Sequence, residues 1–142
     1  MKRVLWLLIL SWIGWPALQA RAAEPVDIEA CKLTPEPRKE LKLTTAQEPQ
    51  VDQVYSQLAP MQQQLDKARE KRQELRESGG DAEAIEKLTN QIIALENQCR
   101  EQRNPLLKPI LTEEQFARVL EMEALHRNRA QARQAGSTPE SR

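Results

Sequence analysis

Two runs of apolar positions, mirrored about one glycine pair, restrict what this chain can fold into. From Val51 the positions step by three and four: Val51, Val54, Leu58, Met61, Leu65, Ala68, then Arg72 and Leu75. After Ser78-Gly79-Gly80 the stepping resumes through Ile85, Leu88, Ile92, Leu95, Cys99 and Gln102. That is the 3.5-residue repeat of coiled-coil packing. Turning back at Gly80 sets Leu75 level with Ile85, Arg72 with Leu88, and Ala68 with Ile92. Leu65 then meets Leu95, Met61 meets Cys99 and Leu58 meets Gln102. The numbers in every pair sum to 160, so six layers register around one turn, where an accidental pattern would slip out of phase. The spacing predicts a long antiparallel helix pair. Arg72 holds a seam position, and its stem is expected to lie across Leu88 with the charged head in water.

The punctuation agrees. Gly79-Gly80 offers left-handed backbone to end the first helix, and Asp81 is a good N-cap for the second. Asn104-Pro105 predicts the end of that second helix, and Lys108-Pro109 predicts an extended connector. A last helix follows from Thr112, with Phe116, Val119, Leu120 and Ala124 on one side. Its Arg127, Arg129 and Arg133 suit the negative end of the helix dipole. From Gly136 the tail reads as disordered. Pro60 removes an N–H inside the first long helix and predicts either a kink, which would curve the hairpin, or a helix split in two.

A short pattern occurs twice, once before the hairpin and once after it: Leu43-Thr44-Thr45-Ala46-Gln47 and Leu111-Thr112-Glu113-Glu114-Gln115. Each is an L-T-x-x-Q unit, and its spacing is that of a capping box. The Thr hydroxyl accepts the N3 backbone N–H, and the Gln side chain reaches back to the N-cap N–H. In the second copy Leu111 is placed to staple onto Phe116; the first copy has Glu48 there, followed by Pro49.

On these paired motifs and their order, residues 41 to 128 resemble the periplasmic Spy/CpxP family. The resemblance implies a small all-α protein, often dimeric and cradle-shaped. Some members are ATP-independent chaperones, some restrain envelope-stress sensor kinases, and some relatives sense metals. The expected architecture is therefore a long antiparallel helical hairpin with a shorter N-terminal segment and a C-terminal helix, cradle-like and dimeric.

Lys2 and Arg3 precede an apolar run from Val4 to Ile13, broken by Gly14 and Pro16, and Ala20-Arg21-Ala22 supplies a small-x-small cleavage pattern. The run is short for a bilayer span, so residues 1–22 read as a secretory signal peptide, with an uncleaved anchor as the alternative. The expected organisation continues with an N-terminal segment and short helix over 23–43, a helical domain over 44–134 turning at 78–81, and a tail over 135–142. Losing Lys2, Arg3 and Arg21 leaves 18 basic residues against 21 acidic, a net −3. All three Trp leave as well, so Tyr55 and Phe116 are the remaining aromatics. That balance does not suggest nucleic acid, and the stacking aromatics of a single-strand binder are missing.

Two cysteines remain, Cys31 and Cys99, in a compartment where thiols tend to pair. Cys99 sits level with Met61, roughly 25 Å along the helix from Thr44 at ~1.5 Å per residue. The segment from Cys31 to Leu43 spans that if partly extended. An intrachain disulfide is feasible; a link between subunits and a buried free thiol at Cys99 stay open. No C-x-x-C redox motif is present.

His126 is the single histidine, and no Cys/His pair has ligand spacing, so no metal and no cofactor is expected. The same count leaves no second base for Ser–His or Cys–His chemistry, and no Gly-rich phosphate loop exists; the chain does not read as an enzyme. Asp66, Glu70 and Glu74 alternate with basic residues, as on a solvated, ion-paired surface. The functional reading of that region is a client or partner surface made by Met61, Lys67, Arg69, Arg72 and Arg76. Three roles follow: a holdase chaperone that clasps unfolded envelope proteins without ATP, a regulator that docks on the periplasmic domain of a sensor kinase, and a structural coiled-coil spacer. Breadth of binding separates the first two.

Overall fold

The computed structural model describes Val26 and residues 28–135, and these form four helices: α1 (Pro35–Leu41), α2 (Glu48–Glu77), α3 (Ala82–Leu107) and α4 (Glu113–Ala135). No strand occurs among the described residues. The expected signal peptide and the tail from Gly136 lie outside them.

Helices α2 and α3 form the antiparallel hairpin. Its turn is built by the glycines in two different ways. Gly79 takes a left-handed φ of +67°, which only glycine adopts cheaply. The Gly80 N–H donates to Leu75 O at 2.7 Å and the Gly79 N–H to Arg76 O at 3.4 Å, the paired bonds of a Schellman motif. Gly80 needs space rather than unusual dihedrals, because a Cβ there would come within 2.9 Å of both Leu75 O and Leu75 Cδ2. Asp81 then caps α3, accepting from the Ala84 N–H at 3.2 Å.

Along the hairpin the predicted layers hold near the middle and drift at the far end. Leu65, Ala68, Ile92 and Cys99 are buried together, with Met61 and Leu95 packed beside them. Gln102, however, is exposed, and Arg103 takes the inward place. The reason is helix pitch. A straight helix turns every 3.6 residues, so the inward stripe advances from Cys99 by four to Arg103 and by four again to Leu107.

Two helix boundaries also differ from expectation. Pro105 does not end α3, which continues to Leu107. The N–H that Pro105 lacks would serve Glu101 O on an exposed face, where water substitutes, while Leu107 is anchored in the core. The Lys108–Pro109 connector is a tight turn rather than an extended one, with the Ile110 and Leu111 N–H groups both donating to Leu107 O at 3.0 Å. Pro60, likewise exposed, lies inside a continuous α2, so the helix is not split.

A second core fills the end of the hairpin away from the turn. Val51, Val54 and Leu58 from α2 meet Leu107 and Leu111, Leu41 from α1, and Val119 and Met122 from α4. The inward face of α4 therefore runs through Val119 and Met122; Leu120, expected inside, is 43% exposed. Residues 28–31 link the two cores. Ile28 belongs to this second core, whereas Ala30 and Cys31 belong to the hairpin core.

Candidate functional site

Both capping boxes form, and they meet. Thr44 and Thr112 each accept from the N–H of the Gln three residues on, at 3.3 and 3.2 Å. Gln47 and Gln115 each return Oε1 to the N–H of their own Thr, both at 3.0 Å. The helical bonds that follow match as well: the Glu48 N–H donates to Thr44 O at 3.0 Å and the Phe116 N–H to Thr112 O at 2.9 Å. Each glutamine still has its amide nitrogen to satisfy. Gln47 Nε2 donates to Gln115 Oε1 at 2.8 Å and to Ile110 O at 3.0 Å. Gln115 Nε2 donates to Gln47 Oε1 at 3.2 Å and to Leu41 O at 3.0 Å. Two carboxamides thus face each other as a cyclic pair, and each reaches the chain just ahead of the other motif. A local capping device becomes a tertiary lock between the start of α2 and the start of α4, and it leaves no amide atom over for a ligand.

A buried arginine holds the segment before α1. Arg103 is fully buried; its Nη1 donates to Ala30 O at 2.9 Å and to Glu29 O at 3.1 Å. Its Nε and Nη2 donate to Asn104 Oδ1 at 3.1 and 3.0 Å, and Nη2 is ion-paired with Glu123 of α4, itself 3% exposed. The segment before α1, α3 and α4 therefore converge on one guanidinium. The Tyr55 hydroxyl lies buried beside it, where burial pushes the phenol above its usual range and the Arg103 charge pulls it partway back. Close by, the Cys31–Cys99 disulfide joins the same segment to α3, with a Cα–Cα distance of 5.4 Å.

An open cleft of about 650 Å³ lies between the hairpin and the C-terminal half of α4. Seven arginines line it: Arg69, Arg72 and Arg76 from α2, Arg100 from α3, and Arg127, Arg129 and Arg133 from α4. Glu29 and Glu96 are its carboxylates, and Ile92, Ile93 and Ala130 supply apolar wall. Arg69 bridges both acids, at 3.2 Å to Glu29 and 2.9 Å to Glu96; burial disfavours its charge, but those two bonds outweigh burial and raise its pKa. Arg100 shares Glu96 at 3.5 Å, yet burial and the nearby Arg127 leave its pKa lowered. Arg72 is lowered too, by burial first and then by Arg76 and Arg69. A smaller depression beside it, bordered by Pro105 and the exposed Leu120, shares Arg100 and Arg127 with the cleft. Among the described residues no group of three or more His, Cys, Asp or Glu side chains is placed to hold a metal ion, and no helix is long and apolar enough to cross a membrane.

A family model described as the LTXXQ motif family protein matches residues 35–126. The chain belongs to the LTXXQ motif family. No curated protein and no solved structure matches it.

For this LTXXQ protein the predicted site residues fall into three places. Leu43, Thr44, Gln47, Leu111, Thr112 and Gln115 converge as described, and Leu111 and Phe116 share one core cluster. Cys31 and Cys99 pair within the chain. Of the five surface residues, Arg69, Arg72 and Arg76 come together in the cleft. Met61 is half-buried against the hairpin core, and Lys67 points elsewhere on α2, exposed. Arg72 is half-buried as expected of its seam position, with its head in the cleft. Sequence reasoning missed Arg100, Arg103 and Arg127. Arg103 was findable, since Cys99, Arg103 and Leu107 are spaced as one helical stripe; Arg127 joins the cleft only through the placing of α4.

Proposed function

We propose that this protein is a periplasmic, ATP-independent holdase that binds unfolded envelope proteins along the cleft between hairpin and α4. Membership of the LTXXQ family supports an exported helical protein of the Spy/CpxP kind. The intrachain disulfide supports an oxidising compartment. The observation that carries the reading is the mixture of guanidinium groups with exposed apolar side chains, Ile93 at 41% and Leu120 at 43%, on one continuous surface. Such a surface offers many weak contacts to chains of varied sequence, none of which requires a nucleotide. Shallow apolar contact gives each client segment a small favourable burial, and the arginines supply charge contacts that are screened by salt over ~8 Å at physiological ionic strength. A homodimer, part of the same proposal, would double the contact area available to one client.

Light scattering of two chemically unrelated aggregating clients, at low and at high salt, tests the reading. Both clients should be protected at an equimolar ratio, less so at high salt. Protection of neither, together with micromolar binding of one sensor-kinase periplasmic domain, replaces the chaperone with a regulator. Sedimentation giving a monomer at micromolar concentration removes the dimer but not the holdase.

A further inference from the structure

We propose that the arginine cleft is a binding site for a small ligand carrying two or more phosphate groups. The chain as a whole has no net charge, so the positive character is a local construction. Its two carboxylates are already engaged: Glu29 and Glu96 both pair with Arg69, and Glu96 also serves Arg100. Arg72, Arg76 and Arg127 have no carboxylate within 4.0 Å among the described residues. Holding like charges together while partly withdrawing them from water is unfavourable unless an anion joins them, and Arg72 is both half-buried and flanked by Arg69 and Arg76.

The residue type and the dimensions narrow the anion. A guanidinium presents a planar fork that pairs two N–H groups with two oxygens of one phosphate, and a phosphomonoester brings ≈ −1.5 to −2 charge to a single point. Arginines from three helices converge here, which suits two or three phosphates held close together better than carboxylates strung along a peptide. At about 650 Å³ the cleft has the volume of small-ligand sites, which run ≈ 300–1,000 Å³, and is too small for a folded domain. Ile93 and Ala130 leave room beside the cations for an apolar portion. Two sources share this chemistry: a free oligophosphate and the phosphate-bearing headgroup of a lipid. The site lies in the cleft that the holdase reading also uses, but it does not depend on that reading, because its occupation is measured with no client present.

Calorimetry with sodium tripolyphosphate on the folded protein is the first measurement, and sedimentation with phosphatidylcholine vesicles, with and without phosphatidic acid, is the second. We expect one tripolyphosphate per chain, bound roughly tenfold or more weakly after Arg72→Gln with Arg76→Gln, and similarly weakened by Arg127→Gln on the exposed face of α4. Arg118→Gln, outside the cleft, should leave binding unchanged. Capture by phosphatidic acid vesicles that is lost in the same variants assigns the site to a lipid headgroup; tripolyphosphate binding without vesicle capture assigns it to a free oligophosphate. The proposal is overturned if neither probe binds, if Arg118→Gln weakens binding as much as the cleft variants, or if a glutamate peptide of equal charge binds as tightly as tripolyphosphate.

Discussion

Arg103 on α3 and Arg72 on α2 meet opposite fates. Arg103 is wholly buried, and its N–H groups find two backbone carbonyls, an amide oxygen and a carboxylate. Arg72 is half-buried and flanked by Arg76 and Arg69, and the one carboxylate that acts on it, Glu96, lies beyond ion-pair distance and is held by Arg69 and Arg100. One environment spends its polar groups on holding three elements together. The other leaves them uncommitted. A satisfied buried charge indicates structure, whereas half-buried like charges with no acceptor indicate a surface that expects one. The Gln47–Gln115 pair belongs with Arg103, since every polar atom of its carboxamides has a partner inside the protein.

The sharpest way to break this contrast is Arg103→Ala. It strands Glu123 in the core and should cost ~3–5 kcal/mol in urea unfolding. Replacing both partners, Arg103→Met with Glu123→Met, should recover most of that loss, because the cost lies in the unpaired charge. If the double variant is no better than the single one, the carbonyls of Glu29 and Ala30 matter more than Glu123. Next in size is the disulfide. Cys31→Ser with Cys99→Ser reopens a loop of 68 residues and should cost ~2–4 kcal/mol, read from the same unfolding curves.

Gln47→Ala should cost ~1–3 kcal/mol, since it removes one half of the capping box and leaves Gln115 without its partner. Gln115→Ala should then add little on top. A double-mutant cycle giving additive losses would show two independent caps rather than one lock. The smallest effect is expected in the cleft: Arg72→Gln should shift stability by no more than ~0.5 kcal/mol, and toward greater stability if like-charge repulsion dominates. A loss of several kcal/mol at Arg72 would erase the distinction between the two arginine environments.

Much of the fold is legible along the chain because its causes are local. Thr44 and Gln47 are three residues apart, so a capping box is a property of the sequence wherever the helix ends up. Leu65, Ala68, Ile92 and Cys99 recur at helical spacing on both sides of a glycine turn, and this fixes the antiparallel pairing near the middle of the hairpin. The same reasoning fails at Gln102 because a 3.5-residue count accumulates error away from the turn, and at Pro105 because a missing N–H matters little on a solvated face. Leu120 fails for another reason, since α4 has apolar residues on more than one side and only its docking selects Val119 and Met122.

By itself, then, the sequence determined four things: the all-α class, the hairpin with its turn at 78–81, the two capping boxes, and the supply of two cysteines able to reach each other. Tertiary structure alone decided that the boxes clasp each other through Gln47 and Gln115, that Arg103 rather than Gln102 faces inward to gather residues 29, 30 and 123, and that arginines from three helices share one cleft. The physical reason is range. Caps, turns and helical stripes are set by neighbours within a few residues, while a guanidinium reads as solvated surface until the folded chain supplies its acceptors or withholds them.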